Sequence, residues 1–295
     1  LLCATLEVQP DYFISEPKVA LENVAFRKLQ KLSGKAQDSI KEQTIDFIER
    51  YLEIEELLGV DSIFENPLQG FRIESMADIE AATDKLRGEW DLGNDTLYNV
   101  VEVLEEHQIK VLELEADLSF SGLSTIVGGK VPVIVLNTSN CPTDRLRFTA
   151  LHELGHLLLN ITHFPLKEQE AFCNAFAGAI LISKEKIRSE LGGYRHKIFL
   201  NELVLIKEQY GISMQAIVYR AKQLELISQS HFKKLMMQFG AMGLRKKEWG
   251  EYRKEEKSSR FTQLLLRGVA EEIISTSKAA YLNNQRLADF REKFL

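Results

Sequence analysis

The chain has 295 residues, 45% of them hydrophobic and 27% charged, with a formal net charge of −6. That is enough apolar material for one large or two ordinary domains, each with its own core, and it excludes a disordered chain. The acidic balance excludes binding to nucleic acid over the whole surface, although a small basic module masked by acidic neighbours stays open. No apolar run approaches the ~18–20 residues that cross a bilayer, and the N-terminus lacks the basic flank and small-residue cleavage site of a signal peptide. Three well-separated cysteines, Cys3, Cys141 and Cys173, give an odd count and no disulfide framework. The expectation is a cytoplasmic protein with no membrane partner.

The chain opens Leu1-Leu-Cys-Ala, without a methionine, and so reads as a fragment. Residues 1–13 suggest a short helix, a turn at Gln9-Pro10-Asp11 and an apolar tail, too small a strip to bury a core. Residues 1–15 therefore look like the end of a domain. Residues 16–65 follow as a polar linker and a long connector helix over 36–59, in which Ile40, Phe47, Ile48, Tyr51, Leu52, Ile54 and Leu58 recur at helical spacing and Gly59 is placed to end the helix. Its charged face is most simply solvated; a homodimer or interdomain contact is the functional alternative.

A third unit spans 66–229. Asn66-Pro67-Leu-Gln-Gly70 is a loop, residues 75–90 read as a helix capped by Ser75, and 96–107 as a shorter one with Leu97, Val100, Val101 and Leu104 on a stripe. The period then changes. Residues 109–114, 122–127 and 131–136 are β-rich runs, with Gly128-Gly129 a hairpin signal between the last two. They predict a small, mostly antiparallel sheet ahead of the next helix, for which Thr143 is the N-cap candidate after the turn Asn140-Cys-Pro-Thr143.

That helix carries the chemistry. Arg147-Phe-Thr-Ala-Leu-His-Glu-Leu-Gly-His156 contains an H-E-x-x-H motif between apolar flanks. His152 and His156, four apart, project from one helical face and can share a zinc ion, with Glu153 beside the metal rather than on it. Fourteen positions on, Glu170-Ala-Phe-Cys-Asn174 opens another apolar helix running to about residue 182. A catalytic zinc takes three protein ligands and keeps one position for water, and Glu170 completes a two-histidine, one-carboxylate set. Asn174, one turn further, can accept from the outward N–H of a ligating histidine. Cys173 falls out of phase with that face and reads as core. In this arrangement zinc acidifies a water, Glu153 is the general base that passes the proton to a leaving amine, and an amide is cleaved. An oxyanion donor is not singled out. The candidates are His163, Tyr194, His196, Tyr219 and Arg220, with Tyr219 and Arg220 ahead because their helix must pack near the metal helices.

Further helices are expected over 184–191, capped by Ser183 and ended by Gly192-Gly193, over 200–210 ended by Gly211, and over 213–224 with Ser213 as cap. Near residue 230 the character shifts, and 230–295 reads as a C-terminal helical region: a short helix over 230–239, a basic stretch Leu244-Arg-Lys-Lys-Glu-Trp249, a charged run, then two or three small helices. The Arg245–Lys247 cluster is open to nucleic acid, but a charge run of this kind is normally a solvated surface. There are no internal repeats and no phosphate-binding glycine loops.

Residues 148–156, 170–182 and 212–224 together resemble the ImmA/IrrE family of zinc metallopeptidases, with the similarity extending over about 95–228. The resemblance implies an α+β, mostly helical fold: a zincin-like metallopeptidase core with a small antiparallel sheet packed on the H-E-x-x-H helix. It implies zinc bound by His152, His156 and Glu170, and Glu153 as catalytic base. Family members are bacterial or phage proteins, some of which cleave a helix-turn-helix repressor. Leu6-Glu-Val-Gln-Pro-Asp-Tyr-Phe13 resembles the last helix of an XRE-type helix-turn-helix domain, and Phe26–Ser33 with the following helix resembles the connector of proteins that fuse the two. One departure is Ile182-Ser183, where the family often has Met-Pro. The implied function is a zinc endopeptidase domain of a transcriptional regulator, acting on a repressor-like protein or on itself, with DNA bound through an N-terminal domain. The alternative is a DNA-binding regulator whose metallopeptidase-like domain senses a ligand or partner with little turnover; a non-peptide amidohydrolase using the same metal is a third reading.

Overall fold

Apolar spacing dictates the first element. In the computed structural model, which describes residues 32–60 and 63–294, Ile40, Ile48, Tyr51 and Ile54 fall on the buried face of α1 (Gly34–Leu57). Ser33 caps it by accepting from the Ala36 N–H at 3.3 Å, and Gly59, at φ 62°, turns the chain away just past its end. The expected helix-turn-helix remnant and most of the linker lie outside the described residues. The next helix, α2 (Asp78–Glu89), begins three residues later than its spacing suggested. Ser75 is not its cap: the Asp78 carboxylate accepts from the backbone N–H of Glu74 and Ser75 and from the Ser75 hydroxyl, folding the approach back onto the first turn. Asn99 caps α3 (Val100–Glu106), accepting from the Glu102 N–H at 3.1 Å.

Three strands follow, β1 (Lys110–Leu114), β2 (Gly122–Val127) and β3 (Val131–Asn137), in spatial order β1-β3-β2. The β2–β3 hairpin is antiparallel as expected, its turn made by Gly128 and Gly129, both at positive φ. β1 runs parallel to β3, so the sheet is mixed and the expectation of an antiparallel sheet is corrected. Alternation of apolar residues says which face is buried but not which way a neighbour runs. What sets the direction is the crossover at 115–121, held by one side chain at the end of β3. The Asn137 amide donates to the carbonyls of Ala116, Asp117 and Phe120 and accepts from the Ala116 N–H.

β3 is buried on both faces, and this divides the core. Ile134 and Leu136 face a large cluster with α4 (Thr143–Leu158) and α5 (Leu166–Leu181), while Val133 and Val135 face Ile40 and Ile48 of α1. Helices α6 (Lys184–Leu191), α7 (Leu200–Tyr210), α8 (Met214–Gln223) and α9 (Gln229–Ala241) complete the large cluster, with Ser183 and Ser213 as caps and Gly192 and Gly211 as left-handed ends. The last three helices, α10 (Arg260–Ala270), α11 (Thr276–Leu282) and α12 (Leu287–Phe294), stack on the other half of α1 through Tyr51 and Ile54. The chain is thus α+β and mostly helical, with α1 joining the sheet to the C-terminal helices.

Between α9 and α10 the chain returns as a strap. Leu244 enters the large cluster, Tyr252 is buried, and Glu256 pairs with Arg147 of α4, both side chains almost fully enclosed. Glu256 also accepts from the N–H of Val100 at the start of α3, at 2.7 Å. Removing one member of such a pair strands a charge in low dielectric, whereas removing both does not. Glu256→Ala is expected to lower unfolding free energy by roughly 3–5 kcal/mol, and Arg147→Met with Glu256→Leu together by less than either single change, read from denaturant midpoints.

Glu113 on β1 carries a pH signature. Burial pushes its carboxyl up to about 7, helped by Glu256, Glu105 and Glu255 and opposed by Lys257. A carboxyl raised on folding contributes stability that is complete below its unfolded value of about 4.5 and is lost as pH climbs through about 7. Urea midpoints at pH 5 and pH 8 should show a fall in the native chain that shrinks in Glu113→Gln.

Candidate metal centre

Two helices are brought together by the absence of a side chain. A Cβ on Gly155 of α4 would lie 3.2 Å from the Cα and Sγ of Cys173 on α5, closer than ordinary packing allows. Cys173 is fully buried there, as its phase predicted. On the sheet side, a Cβ on Gly122 would lie 2.9 Å from Thr149 of α4 and from the Val135 carbonyl, so α4 also sits hard against the start of β2. These two close approaches fix the H-E-x-x-H helix against α5 and the sheet at once.

The open face of α4 then meets α5 at three side chains. The Nε2 atoms of His152 and His156 are 3.2 Å apart, and each stands 3.2–3.3 Å from an oxygen of Glu170. For bonds of ~2.0–2.1 Å, a tetrahedral ion separates its ligands by ~3.3–3.4 Å, so this triangle has the dimensions of one face of such a coordination sphere. The donor set, two imidazoles and a carboxylate, suits a divalent transition metal. Among the described residues it is the one His, Cys, Asp and Glu grouping with metal-binding geometry.

Around it the supporting contacts are specific. His152 Nδ1 lies 3.0 Å from the Asn174 side-chain oxygen, which orients the ring and leaves Nε2 toward the other two ligands. Glu153 is only 2% exposed, and its carboxylate accepts from the Ser124 hydroxyl of β2 at 3.0 Å. Glu153 and the ligands His152 and Glu170 border a cavity of about 570 Å³, walled by Ser119–Gly122 on the sheet side and by Arg145, Phe148 and Thr149 of α4.

Residues 104–222 match the peptidase M78 family, described as the IrrE N-terminal-like domain. This stretch of the chain is similar to the IrrE N-terminal-like domain. It runs from the end of α3 to the end of α8 and contains all the residues of the triangle. Comparison with curated proteins gives no match.

The oxyanion candidates are not gathered here. Arg220 is buried and committed elsewhere: its guanidinium pairs with Glu80 of α2 and donates to the Ile182 carbonyl, stapling α8 to α2 and the end of α5. Three of its five N–H groups are thereby committed to holding helices together, and it does not line the metal cavity. His163 and His196 are exposed, their rings against Phe164 and Tyr194, and neither they nor Tyr194 line the metal cavity. Tyr219 is half-exposed and edge-on to Phe232, and it lines a neighbouring cavity of about 500 Å³ that shares Phe148 and Asn174 with the metal cavity. Two residues at the site were missed in the sequence. Ser124 hides inside an apolar strand, a position that gives no signal until the strand is seen against α4. Arg145 was findable, because seven residues before His152 is two helical turns along the same face.

Because Asn174 acts on the metal only through the His152 ring, its loss should weaken binding without emptying the site. Asn174→Ala is expected to lower affinity for a divalent metal by about 10–100-fold in chelator competition. Arg220→Met, in contrast, should lower the unfolding midpoint and leave metal affinity unchanged.

Proposed function

We propose that the protein is a zinc-dependent endopeptidase. The observation that carries this reading is a buried carboxylate, Glu153, next to a triangle of ligands whose edges match a tetrahedral ion. His152, His156 and Glu170 would hold the zinc, and when bound it would supply Lewis acidity, polarising a substrate carbonyl and bringing a water within reach of deprotonation near neutral pH. The chain's own residues do the rest. Glu153, enclosed and held by Ser124, accepts the proton of the attacking water and returns it to the departing amine nitrogen. Asn174 keeps the His152 ring from rotating. The substrate is laid out by the sheet: β2 is an edge strand, and the Ser119–Gly122 segment leading into it walls the metal cavity, so an extended peptide can align there by backbone pairing.

The same reading extends to context. The resemblance of residues 6–13 and 26–33 to a helix-turn-helix domain and its connector supports a bacterial or phage transcriptional regulator that binds DNA through its N-terminal part and acts on a repressor-like protein or on itself in the cytoplasm. No helix among the described residues is long and apolar enough to cross a membrane.

Metal analysis of the purified chain should give one equivalent of zinc, and Glu170→Gln should lose it. Glu153→Gln should keep the zinc and lose about 10²–10⁴-fold in peptide cleavage, the range general-base catalysis contributes. If gene regulation proceeds undiminished in a Glu153→Gln strain, the endopeptidase reading gives way to a sensing domain that binds without turnover.

A further inference from the structure

The strap between α9 and α10 lies outside the stretch that matches the family, yet it walls a cleft of about 1160 Å³ opposite the N-terminal end of α4. It is held at both ends by carboxylates set on helix N-termini. At one end Glu248 accepts from the backbone N–H of Met214 and Gln215, at 2.7 and 3.0 Å in the first turn of α8, and pairs with Lys207, which also reaches Asp144. At the other end Glu256 does the same on α3. Close packing reinforces this, since a Cβ on Gly250 would lie 2.7 Å from Val204 of α7. The wall is therefore built before any ligand arrives.

What the cleft presents is unbalanced charge. Arg245, Lys246 and Lys247 of the strap and Arg145 of α4 all line it and are all exposed, and none has an ion-pair partner among the described residues. In a chain of net charge −6, four unpaired cations around one cleft are a local reversal of sign. The cleft also adjoins the metal cavity, because Arg145 and Phe148 line both. Arg145 precedes His152 by seven residues, which along a helix is ~10 Å. An extended peptide covers ~3.3 Å per residue, so that distance is about three residues of substrate.

We infer that this cleft binds an acidic segment of the polypeptide substrate, with an Asp or Glu side chain about three residues from the bond presented to the metal centre. The inference rests on the endopeptidase reading above. It favours polypeptide over nucleic acid because Glu208 and Glu251 line the same cleft, interrupting the positive surface that a continuous phosphate backbone needs.

The test uses the full chain, zinc-loaded, as Glu153→Gln so that bound peptides are not cut. It is equilibrated at ~0.1 M salt with a randomised pool of ten-residue peptides, and the captured peptides are sequenced. Asp and Glu should be enriched about tenfold, the scale of a few exposed charge pairs acting together, and the enrichment should fade at high salt. Arg145→Ala with Lys246→Ala and Lys247→Ala should erase it at unchanged zinc content and melting temperature, and Arg145→Glu alone should turn the preference toward basic residues. Capture without acidic enrichment, or no capture, overturns the inference. So does displacement of captured peptides by a single-stranded oligonucleotide of equal charge at lower concentration, which would assign the cleft to nucleic acid. Wild-type chain run on the captured peptides separates the two readings: acidic peptides held but never cut sink the peptidase and leave the cleft, whereas cleavage indifferent to acidic residues does the reverse.

Discussion

Everything at the metal centre depends on how closely α4 can approach α5. Ligand atoms that share an ion must lie ~3.3–3.4 Å apart, and side chains on separate helices meet that tolerance only if the backbones are held to a fraction of an ångström. Gly155 against Cys173 provides the fixed distance, and Gly122 against Thr149 provides the second support. Neither glycine supplies a ligand atom. Both act through rigidity, because a close-packed interior transmits displacement instead of absorbing it. Glycine in the middle of a helix costs roughly 0.5–1 kcal/mol relative to alanine, and here that cost is offset by the helix pairing it permits.

Much of this site was legible because it is written in helical period. The spacing of His152 and His156, the appearance of Glu170 and Asn174 one turn apart on a second apolar segment, and the off-phase of Cys173 are all local statements about which face a residue occupies. A helix enforces them whatever the rest of the chain does. The same holds for the serine caps and glycine ends of α6, α7 and α8. What the sequence did not carry were relations between elements. The direction of β1 is set by the Asn137 side chain gripping a crossover loop about 20 residues away in sequence. The start of α2 is set by Asp78 reaching backwards, which defeats the usual reading of Ser75. Tyr219 and Arg220 rank together because their helix packs near the metal helices, but a single residue is 100° around a helix. That step separates a half-exposed ring at a cavity from a guanidinium locked to Glu80.

A composition shift near residue 230 suggests a separate unit, yet the chain beyond it supplies Leu244, Tyr252 and Glu256 to the core around α4. Charged stretches read as solvent-facing when counted by composition alone. In this strap the glutamates and the cations divide: Glu248 and Glu256 turn inward to satisfy the open N–H groups of α8 and α3, while Arg245, Lys246 and Lys247 turn outward. A helix N-terminus attracts a carboxylate with or without a neighbouring cation, and Arg147 and Lys207 add that cation in both cases.

The burial of Glu153 links fold to chemistry most directly. A carboxylate 2% exposed is costly to enclose unless its lone pairs are met, and the Ser124 hydroxyl is one of the groups that meets them. A carboxylate gripped by arginine and backbone N–H groups, as Glu256 is, is committed to holding the strap. A freely hydrated one would wander. The Ser124 hydroxyl, on edge strand β2, helps to fix Glu153 beside the cavity that it borders, where under the endopeptidase reading a water and then an amine nitrogen meet it. The two glutamates thus serve different ends: Glu256 ties the strap to α4 and α3, and Glu153, held by Ser124, stands beside the metal centre.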